Sequence, residues 1–147
     1  MSFIRLPSWR EVFEGPWALR LRSGSTGPWL MRGEASDEEL DVRFVAGSAA
    51  RTTLAALSEL GTAFELEVPL GGFADLPDAV VSARPLALLV LDSDRLLEDE
   101  PAQLAPLVAA LRSSAERVQL RVVFQARELG ADAEAVLAEF GVAEIAA

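Results

Sequence analysis

The sequence predicts an α/β domain built on a small, mainly parallel sheet with packed helices, and three observations carry that prediction. An uninterrupted apolar run, LALLVLD over residues 86–92, suits a strand buried on both faces, as the inner strands of a parallel sheet are. From residue 41 onward, strand-like and helix-like patterns alternate. The 147 residues are 51% hydrophobic and 24% charged, which suits one domain with a sizeable core.

Ser8 and Glu11 in PSWREVFEGP have the spacing of a reciprocal helix cap, and Gly15 and Pro16 close that first helix. WALRLR alternates, SGSTGP is turn-rich and WLMRG follows, which reads as a hairpin that either extends the sheet or covers a face of the core. GEASDEEL is a solvated connector. DVRFVA alternates as a strand, and a helix is expected from about Arg51 to Leu60, with Gly61 interrupting or closing it. The run at 86–92 is the central strand. Leu104, Leu107, Val108 and Leu111 form the stripe of a helix that starts near Pro106. VQLRVVF (118–124) is a further strand, and Ala133, Val136, Leu137 and Phe140 mark a last helix closed by Gly141. Residues 1–40 are thus expected as an N-terminal helix and hairpin extension, and 41–147 as the main α/β domain, the two forming one compact unit.

Composition narrows the chemistry. A net charge of -10 repels phosphate backbones and anionic lipid and attracts cationic partners. Direct nucleic-acid binding and membrane association are therefore not expected. No stretch approaches a membrane span, and MSFIRLPSWR lacks the apolar run of a secretory signal, so a cytoplasmic location is expected. The chain has no His, Cys, Tyr or Lys, which removes the usual general bases, Schiff-base amines and nitrogen or sulfur metal ligands. The expectation is a binding protein without cofactor or metal, not an enzyme.

Two acidic stretches are candidate sites. GGFADLPDAV (71–80) sets Asp75 and Asp78 around Pro77, after Gly71, Gly72 and Phe73. Carboxylates on a rigid helix edge can occupy the phosphate sites of a ribonuclease, with Phe73 as an apolar anchor and the glycines allowing close approach. The plainer reading makes Asp75 a helix cap, Asp78 a charge at the helix start and Phe73 a core residue. LDSDRLLEDEP (91–101) carries five carboxylates. It lacks the glycine and ligand spacing of a calcium loop, but at the carboxyl end of a parallel strand it can form an acidic binding rim.

Residues 41–125 resemble the barstar family of intracellular ribonuclease inhibitors in the order and spacing of their parts. DVRFVAGSAARTTLAALSEL is similar to that family's first strand and helix, LALLVLDSDRLLEDEPAQLAPLVAALRSSAE to its central strand and long helix, and VQLRVVFQ to its closing strand. The resemblance implies a barstar-like layered fold and a cytoplasmic inhibitor or immunity protein that blocks a basic ribonuclease or related toxin. PLGGFADLPDAVV occupies the place of the family's inhibitory segment, which reads like YFGxNWDALxDxL. Gly71 matches the motif glycine and Asp75 its first aspartate. Phe73 and Ala74 stand where Asn and Trp are expected, and the second aspartate falls on Ala79, one residue after Asp78. On this resemblance Gly71, Gly72, Phe73, Asp75 and Asp78 form the partner-binding surface. A scaffold of the same fold that has lost inhibition is an alternative. So is a STAS-type anti-anti-sigma domain, which LLVLDSDRLL and AEAVLAEFGV also resemble and which implies Ser93 as a phosphoacceptor.

Overall fold

The structure, a computed structural model, describes residues 9–22 and 40–145. Helix α1 (Trp9–Glu14) and strand β1 (Ala18–Leu21) come first, then β2 (Asp41–Ala46) and α2 (Thr53–Ala63). A 3₁₀ turn (Phe73–Asp75) leads into the short α3 (Leu76–Ala79), followed by β3 (Leu86–Leu91). Two more 3₁₀ turns (Ser93–Arg95 and Pro101–Gln103) precede α4 (Leu104–Arg117). The described chain ends with β4 (Leu120–Gln125), α5 (Ala131–Glu139) and β5 (Ala143–Ile145).

All five strands join one sheet in the order β2-β3-β4-β1-β5, and every pairing is parallel. The expected α/β layered architecture is present. Alternation along each strand assigns its side chains to two faces. Val45, Leu88, Val90, Val122 and Phe124 meet Leu57 and Leu60 of α2, Leu76 of α3, Leu107 and Leu111 of α4, and Leu137 of α5. Leu21, Ala87, Leu89 and Val123 point the other way and meet Trp9 and Val12 of α1. Arg121 locks α1 in place, donating from Nη2 to the Phe13 carbonyl at 3.1 Å while its guanidinium lies 5.7 Å from the centre of the Phe13 ring.

The N-terminal extension is corrected. β1 pairs with β4 on one side and β5 on the other, both in parallel, so it is an inner strand of the sheet and not an arm of a hairpin. The expected second arm, WLMRG, lies outside the described residues, as do Ser8 of the first helix cap and residues 33–39 of the connector GEASDEEL. The pattern ALRL misleads because Arg20 does not face solvent. It is 2% exposed, and its Nη1 donates to Glu134 of α5 at 2.8 Å and Glu144 of β5 at 3.3 Å.

α2 also departs from expectation, running through Gly61 to Ala63. Its start is set by Thr52, whose side chain accepts from the Ala55 amide at 3.2 Å. Beyond the helix's own adjacent backbone, no atom lies within 4 Å of where a Gly61 Cβ would sit, so nothing in the packing demands glycine there. Gly141 does close α5, at φ +77°. At the far end of the sheet, Gly47 lets β2 approach β3 closely. Its amide donates to the Leu91 carbonyl at 2.6 Å, and a Cβ there would lie 2.4 Å from the Asp92 carbonyl oxygen.

Candidate functional site

Ligands of open parallel sheets bind outside the carboxyl ends of the strands, where the connecting loops splay apart. Here the ends of β3 and β4 and the first turns of α4 and α5 enclose a cavity of about 380 Å³. Leu96, Leu97, Leu104, Phe124, Leu129 and Leu137 supply its apolar lining. Asp94, Glu98, Glu128 and Asp132 supply carboxylates, and no lining residue is basic.

The walls are held by specific hydrogen bonds. Asp92 takes a left-handed conformation at φ 53°, which turns the chain sharply out of β3. Its amide donates to the Gln125 side-chain carbonyl at 2.8 Å. Ser93, buried, donates from its hydroxyl to the Val90 carbonyl at 2.9 Å. The Asp94 carboxylate then accepts from the amides of Arg127 at 3.1 Å and Glu128 at 2.7 Å, tying the loop after β3 to the loop after β4. Leu97 is a second left-handed residue, at φ 55°. Its amide donates to the Ala50 carbonyl at 3.0 Å, and its side chain is fully buried. Such backbone strain survives only where surrounding contacts enforce it.

The four carboxylates are not equivalent. Glu98 is paired with Arg51 at 3.3 Å, and Asp94 is committed to two backbone amides. Glu128 and Asp132 are exposed, and among the described residues neither has a cationic partner. Among the described residues no group of three or more potential ligands converges to hold a metal ion.

The segment 71–80 lies elsewhere. Its turn and α3 pack on α4, and Asp78 pairs with Arg117 in the last turn of that helix. The cavity is at the opposite end, beside Leu104. With a rise of about 1.5 Å per residue the two places are roughly 20 Å apart along α4. Phe73 is buried in the core, so it cannot serve as an exposed anchor without the turn opening. Asp75 is exposed and precedes α3 without a side-chain capping bond. The structure brings Gly71 and Asp75 together, since a Gly71 Cβ would lie 3.1 Å from Asp75 Oδ2. Gly72 is extended at φ -172°. Pro77 sits in the first turn of α3, where its missing amide costs little.

These features define an α/β domain with an all-parallel five-stranded sheet and an acidic cavity at its carboxyl edge. No protein family and no curated protein matches the chain. A solved structure of Drosophila ORC bound to AT-rich DNA and Cdc6 contains a chain of similar fold, with 15% sequence identity and a TM-score of 0.60. The likeness covers 92% of the present chain and 50% of that one, so this chain spans half the length of its structural counterpart. Among the described residues no helix is long and apolar enough to cross a membrane.

Proposed function

We propose that this chain is a non-catalytic protein-binding domain that occludes a basic partner, with a ribonuclease or related toxin as the partner class. The observation that carries the reading is the cavity at the carboxyl edge, which has four carboxylates and no basic residue in its lining. Within a net charge of -10, that concentration attracts a cationic surface and raises the rate of encounter. The fold likeness to a chain of the ORC structure carries no binding partner over to this one. Absence of lysine removes the side chain that a phosphate-cradling loop places on its ligand, and the negative field opposes nucleic acid.

Asp75 and Asp78 offer a second acidic contact, as the barstar resemblance implies, although Arg117 neutralises Asp78. The STAS alternative draws no support from Ser93, because its buried hydroxyl would have to leave the Val90 carbonyl before a kinase could reach it.

The test is titration of a small basic ribonuclease with the full chain, following both complex formation and RNA hydrolysis. A stoichiometric complex that weakens with salt is expected, with hydrolysis falling in step. Absence of both effects across a set of basic ribonucleases and nuclease toxins would overturn the reading. Glu128→Gln/Asp132→Asn and Asp75→Ala/Asp78→Ala then show which acidic face contributes.

A further inference from the structure

The dimensions and lining of the cavity specify its occupant more closely than net charge does. We infer that the cavity receives one long cationic side chain, arginine or lysine, presented by a partner protein next to an apolar residue; this deepens the proposed binding function and rests on it. About 380 Å³ is at the small end of ligand sites, which run from roughly 300 Å³ upward. It suits a side chain and its neighbour better than a folded element. Its interior is apolar, with Leu97, Phe124 and Leu137 all buried, and offers the methylene stem of arginine or lysine a surface to cover. Its rim holds the charge.

Two of the rim carboxylates are satisfied within the chain. Asp94 accepts two backbone amides, and Glu98 meets Arg51. Glu128 and Asp132 remain for a ligand, both exposed and both lining the same cavity. A cavity lined by apolar side chains together with two uncompensated carboxylates matches a guanidinium or ammonium head on an aliphatic stem. An anionic ligand would meet the two uncompensated carboxylates and find no basic side chain in the lining. An uncharged apolar ligand would fill the cavity but leave the two carboxylates without a counter-charge.

The experiment uses the full chain and three short blocked peptides, Leu-Arg-Leu, Leu-citrulline-Leu and Leu-Glu-Leu, with binding read from backbone amide chemical shifts. Citrulline keeps the shape of arginine and removes its charge. The expected result is saturable shifts at 93–98, 124 and 128–133 with the arginine peptide. Affinity should be at least about tenfold weaker with citrulline and absent with glutamate, in line with loss of a charge-assisted contact. Glu128→Gln/Asp132→Asn should reduce arginine affinity to the citrulline level. Ala133→Met, which fills the cavity from α5 and leaves the rim charges in place, should weaken both peptides. Equal binding of arginine and citrulline, or shifts confined to 71–80, would overturn the inference while leaving the proposed function standing. Absence of shifts at millimolar arginine peptide would also overturn it. Failure of the ribonuclease titration together with local shifts at the cavity would overturn the partner class alone.

Discussion

Replacing Gly47 by alanine should be among the most damaging single-methyl changes available to this protein. An added Cβ would lie 2.4 Å from the Asp92 carbonyl oxygen, 2.7 Å from that of Leu91 and 2.9 Å from the Asp92 carbonyl carbon. All three are backbone atoms, so no side-chain rotation relieves the overlap. Separating β2 from β3 by the better part of an ångström would break the 2.6 Å hydrogen bond from Gly47 to Leu91. Overpacking costs about 1–3 kcal/mol and the lost hydrogen bond about 1 kcal/mol, which gives a total of about 2–4 kcal/mol. At about 3 °C per kcal/mol for a domain of this size, the melting temperature should fall by roughly 6–12 °C. Gly61→Ala is the matched control. It adds the same methyl inside α2 where nothing beyond the helix's own adjacent backbone lies within 4 Å, and should stabilise by about 0.5–1 kcal/mol. Urea and thermal denaturation of both variants check the pair. A Gly47→Ala loss below about 1 kcal/mol, or a Gly61→Ala loss of any size, would refute the steric argument.

The remaining predictions concern charge and burial. Arg20→Ala should cost about 2–5 kcal/mol as a large-to-small change at a buried site, while Glu134 and Glu144 keep Arg22 within reach, at 3.6 and 2.8 Å. Arg20→Met should retain most of the stability, because among the described residues Nε and Nη2 of Arg20 are buried without an acceptor and an apolar side chain removes that penalty. Denaturant midpoints of the two variants test this. Phe73→Ala should cost about 3–5 kcal/mol as a core truncation, whereas an exposed interface anchor would change stability little. The hydrogen bond from Arg22 is the main influence holding the Glu144 carboxyl below its ordinary value of 4.5, with smaller help from the charge of Arg20. Its folded-state pKa is depressed, so its contribution is fully present above 4.5 and is lost as pH falls through the lower folded value. A side-chain NMR titration should show this depression in the parent and a smaller one in Arg22→Gln, where Arg20 remains. Finally, Asp94→Ala should destabilise by about 1–3 kcal/mol and increase amide exchange at Arg127 and Glu128, the two groups its carboxylate now accepts from.

The central strand and the long helix were legible because their residues obey one pressure only. β3 is apolar throughout and buried almost throughout, and the α4 stripe keeps one helical spacing along its buried face, with Leu107, Val108 and Leu111 all in the core. β1 was not legible as an inner strand because Arg20 reads as a solvent-facing residue, and only a distant pair of glutamates makes its burial tolerable. β5 is three residues long, too short for any alternation to declare it. The same limit applies to the site. The acid-rich stretch after β3 could be read as a binding rim from its position at a strand's carboxyl end. Its opposing wall, Glu128 and Asp132, comes from another loop and helix, and nothing local in RELGAD announces that it faces Asp94. In the 71–80 segment the charges stood out, but burial of Phe73 and the pairing of Asp78 with Arg117 arise from contacts that spacing alone does not encode.

The place of β1 between β4 and β5 has a consequence for how the protein assembles. Ala18 pairs with Val122, so a strand near the start of the chain waits for a partner about a hundred residues away. β2, β3 and β4 can associate in succession through local crossovers, but the sheet is completed only when the early strand inserts beside β4 and β5 closes over it. During synthesis β1 leaves the ribosome long before either neighbour exists. Its insertion, bringing a guanidinium under α5, therefore has to wait until β4 exists, and a chain halted before β4 would hold β1 with neither of its sheet partners.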